Sequence, residues 1–258
     1  MEIGLLATIF IIGLIGSFIS GLVGIGGAIV NYPMILYIPP LVGYDGFSAH
    51  AAAGIVAVQV LVASLGGVWG YRKGNYIHRP LVLYMGVSVL AGSLLGGVGA
   101  QYISEETVNM VYGLLALSAV VMMFIPINHE KGAEGEISFN KKIASSSAFL
   151  VGIGAGIVGA GGAFLLVPIM MVILRIPTRV TIASSLAITF ISSIGAVTGK
   201  LISLDVPITP AIVIGIASLL TSQLGAKAGK AMNTKVLQIT LAMLILITAV
   251  KVWTDIIF

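Results

Sequence analysis

Long apolar runs separated by short polar breaks dominate the chain, at about 3–20, 50–71, 80–103, 106–126, 143–158, 183–199, 210–228 and 236–254. Runs of about 17 or more such residues are the length a helix needs to cross a bilayer. Two shorter apolar pieces, about 28–38 and 163–174, directly follow glycine-rich stretches. One continuous helix over 3–36 would be about 50 Å long at about 1.5 Å per residue, against a hydrocarbon core of about 30 Å. Each glycine stretch therefore ends one helix and begins another.

The two glycine stretches are copies of one another. Residues 20–33 read SGLVGIGGAIVNYP and residues 155–168 read AGIVGAGGAFLLVP. Gly21, Gly24, Gly26, Gly27, Ala28 and Pro33 match Gly156, Gly159, Gly161, Gly162, Ala163 and Pro168 at an offset of 135. Further on, Gly66, Gly70, Gly86 and Gly96 match Gly195, Gly199, Gly215 and Gly225 at an offset of 129. The change in offset places a longer loop in the first half, between Tyr37 and His50. The chain divides into a first membrane repeat, 1–126, a cytoplasmic linker, 127–142, and a second membrane repeat, 143–258. The linker, with mixed charge and two glycines, reads as solvated chain.

Composition agrees with a membrane protein: 58% of residues are hydrophobic, 9% are charged and the mean hydropathy is +1.13. Soluble domains carry roughly 25% charged residues. The net charge of +4 then reads as the Lys and Arg excess of cytoplasmic loops rather than a nucleic-acid footprint. The absence of cysteine removes disulfides, thiol nucleophiles and thiolate metal sites. The start of the chain has no basic n-region or cleavage site and reads as a retained first membrane helix.

Charge also chooses between topologies. If the two short pieces do not cross, there are eight spans (4+4) in parallel halves, and the 13 Lys and Arg divide 8 to 5 between the faces. If they count as crossings, there are ten helical elements (5+5) and the halves are inverted. One face then holds Arg72, Lys73, Arg79, Lys131, Lys141, Lys142, Arg175, Arg179, Lys227, Lys230 and Lys235, and the other only Lys200 and Lys251. The 11 to 2 division obeys the positive-inside rule far better. The expected fold is thus an all-α polytopic membrane protein built as an inverted repeat, with two short broken helices and both termini outside the cytoplasm.

Duplicated, glycine-interrupted helices are the usual sequence pointer to a transporter's binding site. An unwound backbone survives in hydrocarbon only where it is buried in protein or lines a cavity, and the start of a half-helix offers free N–H groups with positive partial charge. Gly26, Gly27, Gly161 and Gly162 are candidate substrate-binding positions on that ground, with Gly24, Pro33, Gly159 and Pro168 as structural hinges. Glycines spaced by four, Gly66/Gly70, Gly92/Gly96, Gly195/Gly199 and Gly225/Gly229, read instead as helix-packing sites. The letters GAGIVG at 154–159 match a dinucleotide fingerprint, but no strand precedes them and no acidic residue follows at the required spacing. No cofactor is expected.

No Asp or Glu lies mid-span, which argues against a cation as cargo, and no Arg or Lys does either, so an anion would be held by neutral dipoles. Candidates are Asn31, Gln59, Gln223 and the cluster Ser184, Ser185, Thr189, Ser192 and Ser193; each also serves as helix-to-helix glue elsewhere in membrane proteins. His50, at the start of a span, is a candidate for carrying a coupling proton, set against an ordinary interfacial role. An intramembrane enzyme would need a nucleophile with a base in reach, and none is visible. A small-anion channel using the same dipoles is the alternative to a carrier.

Gly21 through Ala28 to Pro33, and Gly156 through Ala163 to Pro168, resemble the paired motifs of the TauE/SafE family of sulfite-exporter-type membrane transporters, also described as domain of unknown function 81. The stretch Ala183–Thr189 is similar to the family's Ala/Ser/Thr-rich helix, and Gly92–Gly97, less fully Thr221–Ala226, to its small-residue helix. The first half departs from the pattern at Ser48-Ala-His-Ala-Ala. The resemblance spans essentially the whole chain. It implies a carrier of sulfite, sulfoacetate or related sulfonates and carboxylates in the cell membrane. The partners it implies are a small anionic substrate and the bilayer, a coupling proton or sodium ion, and a second copy in a homodimer; nucleic acid is not among them.

Overall fold

A computed structural model describes residues 3–71, 76–123, 125, 139–203, 206–233 and interrupted stretches between 235 and 254. Most of the 127–142 linker and much of the last expected span lie outside the described residues. Every regular element among the described residues is helical: α1 (Ile3–Val23), α2 (Ala28–Leu41), α3 (Ala49–Tyr71), α4 (Arg79–Gly99), α5 (Glu105–Met123), α6 (Lys141–Val158), α7 (Ala163–Pro168), α8 (Thr178–Ile202) and α9 (Ile208–Ala231). A 3₁₀ turn, Ala100–Tyr102, extends α4, and a π-helical turn, Ile169–Ile173, extends α7. Seven of these helices are long and apolar enough to cross a membrane; α2 and the α7 segment are shorter. The chain is a multi-pass membrane protein.

The polarity of the packing is that of a protein in lipid. Outward positions are large and apolar, among them Ile11, Ile15, Leu83, Val87, Leu95, Leu150, Ile212, Ile216 and Leu220. Hydroxyl and amide side chains instead collect inside, including Ser17, Ser20, Asn31, Gln59, Ser93, Ser185, Thr189, Ser192 and Ser218. Against hydrocarbon there is nothing to gain by burying Leu, so close backbone approach and internal hydrogen bonds select the interior residues.

Glycine seams tie the halves together. A Cβ on Gly225 would stand 2.0 Å from Phe18 O, one on Gly229 2.3 Å from Leu22 O, and one on Gly21 2.0 Å from Ser222 O. These contacts advance together along both helices, so α1 and α9 run parallel. The same geometry joins α4 to α6: positions for a Cβ on Gly92, Gly96 and Gly156 fall 2.3 Å from Phe149 O, 2.0 Å from Ile153 O and 2.2 Å from Ser93 O. The Gly66 and Gly70 contacts lay α3 parallel to α9, and Gly195 and Gly199 lay α8 parallel to α4. The packing role read for the four-spaced glycines holds at all four pairs.

The directions of these helices relative to one another then follow. The link from α3 to α4, residues 72–78, is seven residues long and reaches at most about 25 Å. The 23 residues of α3 are about 35 Å long, so α4 turns back. Hence α1, α3 and α9 run one way and α4, α6 and α8 the other. The first helix pair folds as a hairpin: Gly16 lies against Asn31, Gly27 against Ser20, and Gly4 against Tyr44, so α2 starts in the interior and returns to the face where α1 began. The offset between repeats changes because both α2 and its following connection are longer than 163–173 and 174–177.

Replacing Gly96 by Leu should force α4 off α6 and lower stability by about 1–3 kcal/mol or more. Gly99→Ala should be tolerated, since a Cβ there meets nothing within 4 Å. Thermal unfolding of the two purified variants checks the contrast.

Candidate functional site

Two unwound segments meet in the interior. Gly24, Gly26 and Gly27 between α1 and α2 have φ of 79°, 75° and 75°; Gly159, Gly161 and Gly162 between α6 and α7 have 74°, 63° and 75°. Left-handed backbone at three positions in four residues is open only to glycine without strain. A Cβ on Gly26 would stand 3.0 Å from Thr189 Cγ2 and 3.3 Å from Val60 Cγ1, and one on Gly161 2.8 Å and 2.6 Å from the same two atoms. Val60 and Thr189 are themselves partners at the 129 offset. The two breaks thus share one pair of side chains from α3 and α8.

Proline completes each break. Pro33 and Pro168 lie within α2 and α7, where proline has no N–H to give the carbonyl four residues back. In α2 that carbonyl is Ile29 O, and the Tyr112 hydroxyl of α5 donates to it at 2.5 Å. Tyr112 stacks on Tyr32 with ring centroids 4.8 Å apart, and Tyr32 Oη donates to Asn109 Oδ1 at 2.7 Å. The first half-helix is thus tied to α5 at Ile29 and Tyr32, and the Tyr112 ring also lies 6.4 Å from Phe164 of α7.

A polar cluster faces the first break. Around the place a Cβ would take on Gly27 stand Gly16 O at 2.7 Å, Gln59 Nε2 at 2.9 Å and Ser20 Cβ at 3.1 Å, while the Asn31 carboxamide lies flat on Gly16. Gln59 Nε2 donates to Ser17 Oγ at 2.9 Å, Ser17 Oγ to Ser218 Oγ at 2.7 Å, and Ser218 Oγ to Ile214 O at 2.6 Å. Among the described residues, Ser20 Oγ, both amide atoms of Asn31, Gln59 Oε1 and Thr189 Oγ1 are buried with no hydrogen-bond partner. Each such orphan costs about 1–3 kcal/mol, and several together at a broken helix make this the candidate site. No side chain caps the start of α2 at Gly27, which adds unused backbone donors.

The second break is lined differently. At the positions matching Gly16, Ser17, Ser20, Asn31 and Gln59 the chain has Val151, Gly152, Ala155, Leu166 and Ile188. Gly162 accordingly packs on Val151 and Ala155. The backbone fold is shared by the two halves, but Ser17, Ser20, Asn31 and Gln59 have no polar counterpart in the second.

Of the residues singled out in the sequence, Gly26, Gly27, Asn31, Gln59, Gly161 and Thr189 come together here, with Gly162 on the apolar side. Ser185 supports the first break by donating to Gly24 O at 2.8 Å. Ser184 points elsewhere and accepts from His78 N at 3.0 Å. Gln223 lies in the α3–α9 seam beside Gly66 and Gly70. His50 sits at the N-terminal end of α3, its Nε2 3.2 Å from Ile103 O. Ser192 O accepts from Ser93 Oγ at 2.8 Å, and Ser193 Oγ donates to Phe190 O. Sequence reasoning passed over Ser17 and Ser20. Their spacing with Gly13, Gly16 and Gly21, at steps of three and four, marks one helix face and could have found them.

Residues 9–252 match the family model described as Sulfite exporter TauE/SafE. Curated relatives include the "Probable membrane transporter protein YunE" of Bacillus subtilis, 23% identical over 96% of each chain. A "Probable membrane transporter protein" of Xylella fastidiosa is 33% identical over 70% of this chain and 68% of its own. A further protein so named, from Methanocaldococcus jannaschii, is 23% identical over 92% and 91%. No solved structure matches the chain significantly.

Asn31→Leu copies the second half's Leu166 into the first break and removes two orphaned amide atoms. The ligand-free protein should gain on the order of 1 kcal/mol in stability while losing any stabilisation by ligand. Thermal unfolding with and without added anions checks both halves of that outcome.

Proposed function

The chain belongs to the TauE/SafE sulfite-exporter family, and on that premise we propose that it is a secondary transporter of small anions. Its cargo is sulfite, an organosulfonate such as sulfoacetate, or a related organic acid, and it works by alternating access across the cytoplasmic membrane. The observation that carries this reading is the orphaned neutral cluster at the Gly27 break. Ser20, Asn31 and the start of α2 bring hydroxyl, amide and backbone donors to one buried point; the fully buried Lys200 lies in the last turn of α8, eleven residues beyond Thr189. Neutral dipoles inside a low-dielectric wall hold an anion strongly enough to select it and weakly enough to let it go.

The moving parts on this reading are the two halves of an inverted repeat. The opposed directions of α1 and α6, each bound in parallel to the fourth helix of the other half, support that arrangement. They also suit rocking of one bundle against the other about the point where both breaks meet Val60 and Thr189. The basic ends of the helices, with Arg79, Lys141, Arg175, Arg179 and Lys230, then lie at the cytoplasmic face, and both termini lie outside.

Inverted halves put 42–48 and 174–177 on opposite faces, whereas parallel halves put them on the same one. The chain has no cysteine, so Asp45→Cys and Arg175→Cys can each be labelled with an impermeant maleimide in intact cells. Asp45→Cys should label and Arg175→Cys should not; equal access would sink the inverted arrangement. In proteoliposomes, sulfite or sulfonate flux should saturate and show counterflow. Gly27→Leu, which collides with Gly16 O and Gln59, should lower flux at least 100-fold in protein that is still inserted. Unsaturable flux without counterflow would identify a channel instead.

A further inference from the structure

The hydrogen-bond relay beside the first break has a fixed direction. Ile214 O can only accept, so Ser218 spends its one proton there at 2.6 Å. The Ser17–Ser218 bond at 2.7 Å then requires Ser17 to donate. Ser17 has no proton left for Gln59, so the 2.9 Å bond between them is donated by Gln59 Nε2. The amide cannot flip without placing two acceptors face to face. Gln59 Oε1 is therefore held as an acceptor in the buried cluster, with no donor among the described residues to meet it.

A bare oxyanion would meet that carbonyl with its own lone pairs, and the contact would be repulsive in a site with little water to screen it. Resting on the anion-carrier reading above, we infer that the ligand carries a hydrogen-bond donor as well as its charge and directs its O–H at Gln59 Oε1. The class is a hydrogen oxyanion or a hydroxyl-bearing sulfonate or carboxylate. Asn31, whose two amide atoms are both uncommitted, can turn either way, and Ser20 can donate. These two take the charged end while Gln59 selects for the proton-bearing one. The relay acts as a specificity determinant through Ser17, which lies behind Gln59 rather than against the ligand.

The test compares anions that differ only in the donor. Detergent-purified protein is titrated with 2-hydroxyethanesulfonate against ethanesulfonate and, in mildly acid buffer that keeps hydrogen sulfite a monoanion, with hydrogen sulfite against methanesulfonate, following thermal stability at constant sodium. The donor-bearing member of each pair should bind about tenfold tighter, the usual consequence of satisfying a buried acceptor. Ser17→Ala frees Nε2 so that the amide can turn its donor to the ligand, and the preference should fall to about onefold or reverse. Gln59→Met should also remove it, which keeps the test independent of how well either variant folds. Equal binding within both pairs overturns the donor inference and leaves the anion carrier standing. No stabilisation by any of the four overturns both. A shift on exchanging choline for sodium without anion, abolished in Gln59→Met, overturns the inference by assigning Oε1 to a cation.

Discussion

Every backbone group inside a bilayer has to find its partner within the protein, and this single constraint shapes the molecule. A helix can be interrupted there only if protein walls surround the gap. Both interruptions are accordingly placed back to back in the interior, against the same two side chains, Val60 and Thr189. The parallel seams of α1 with α9 and α4 with α6 hold those walls at backbone distance. Small residues in the seams and polar residues inside are two results of one cause: hydrocarbon rewards neither the burial of Leu nor the exposure of an amide.

Duplication supplies the scaffold, and divergence within it supplies the candidate site. Glycine and proline positions match across the halves because both breaks need the same backbone. The lining does not match: Ser20, Asn31 and Gln59 oppose Ala155, Leu166 and Ile188. One half-helix thus faces buried dipoles while the other packs against apolar wall. Tyr112 of α5 reaches both half-helices: it donates to Ile29 O on α2, and its ring lies 6.4 Å from that of Phe164 on α7.

Much of this was legible in the sequence because glycine density and apolar length are local signals. The repeat, the two breaks, the short helices and the packing pairs could all be read from spacing. What spacing could not supply was helical phase across a tertiary contact. Ser185 and Thr189 are four apart and both face the first break, whereas Ser184, one residue earlier, looks at the α3–α4 connection. Gln223 has the right chemistry in the wrong seam. Ser17 and Ser20 were overlooked because two hydroxyls in an apolar run look like ordinary tolerance until α9 and α3 are brought beside them.

The Tyr112 bond to Ile29 has a mechanical consequence. Pro33 leaves that carbonyl without its helical partner, and in hydrocarbon it cannot be left bare. The phenol therefore acts as a clasp between α2 and α5, and its ring also lies 6.4 Å from that of Phe164 on α7. A hinge at Gly24–Gly27 would have to carry that clasp or break it. Motion of the first half-helix would so be felt at the second through a single tyrosine.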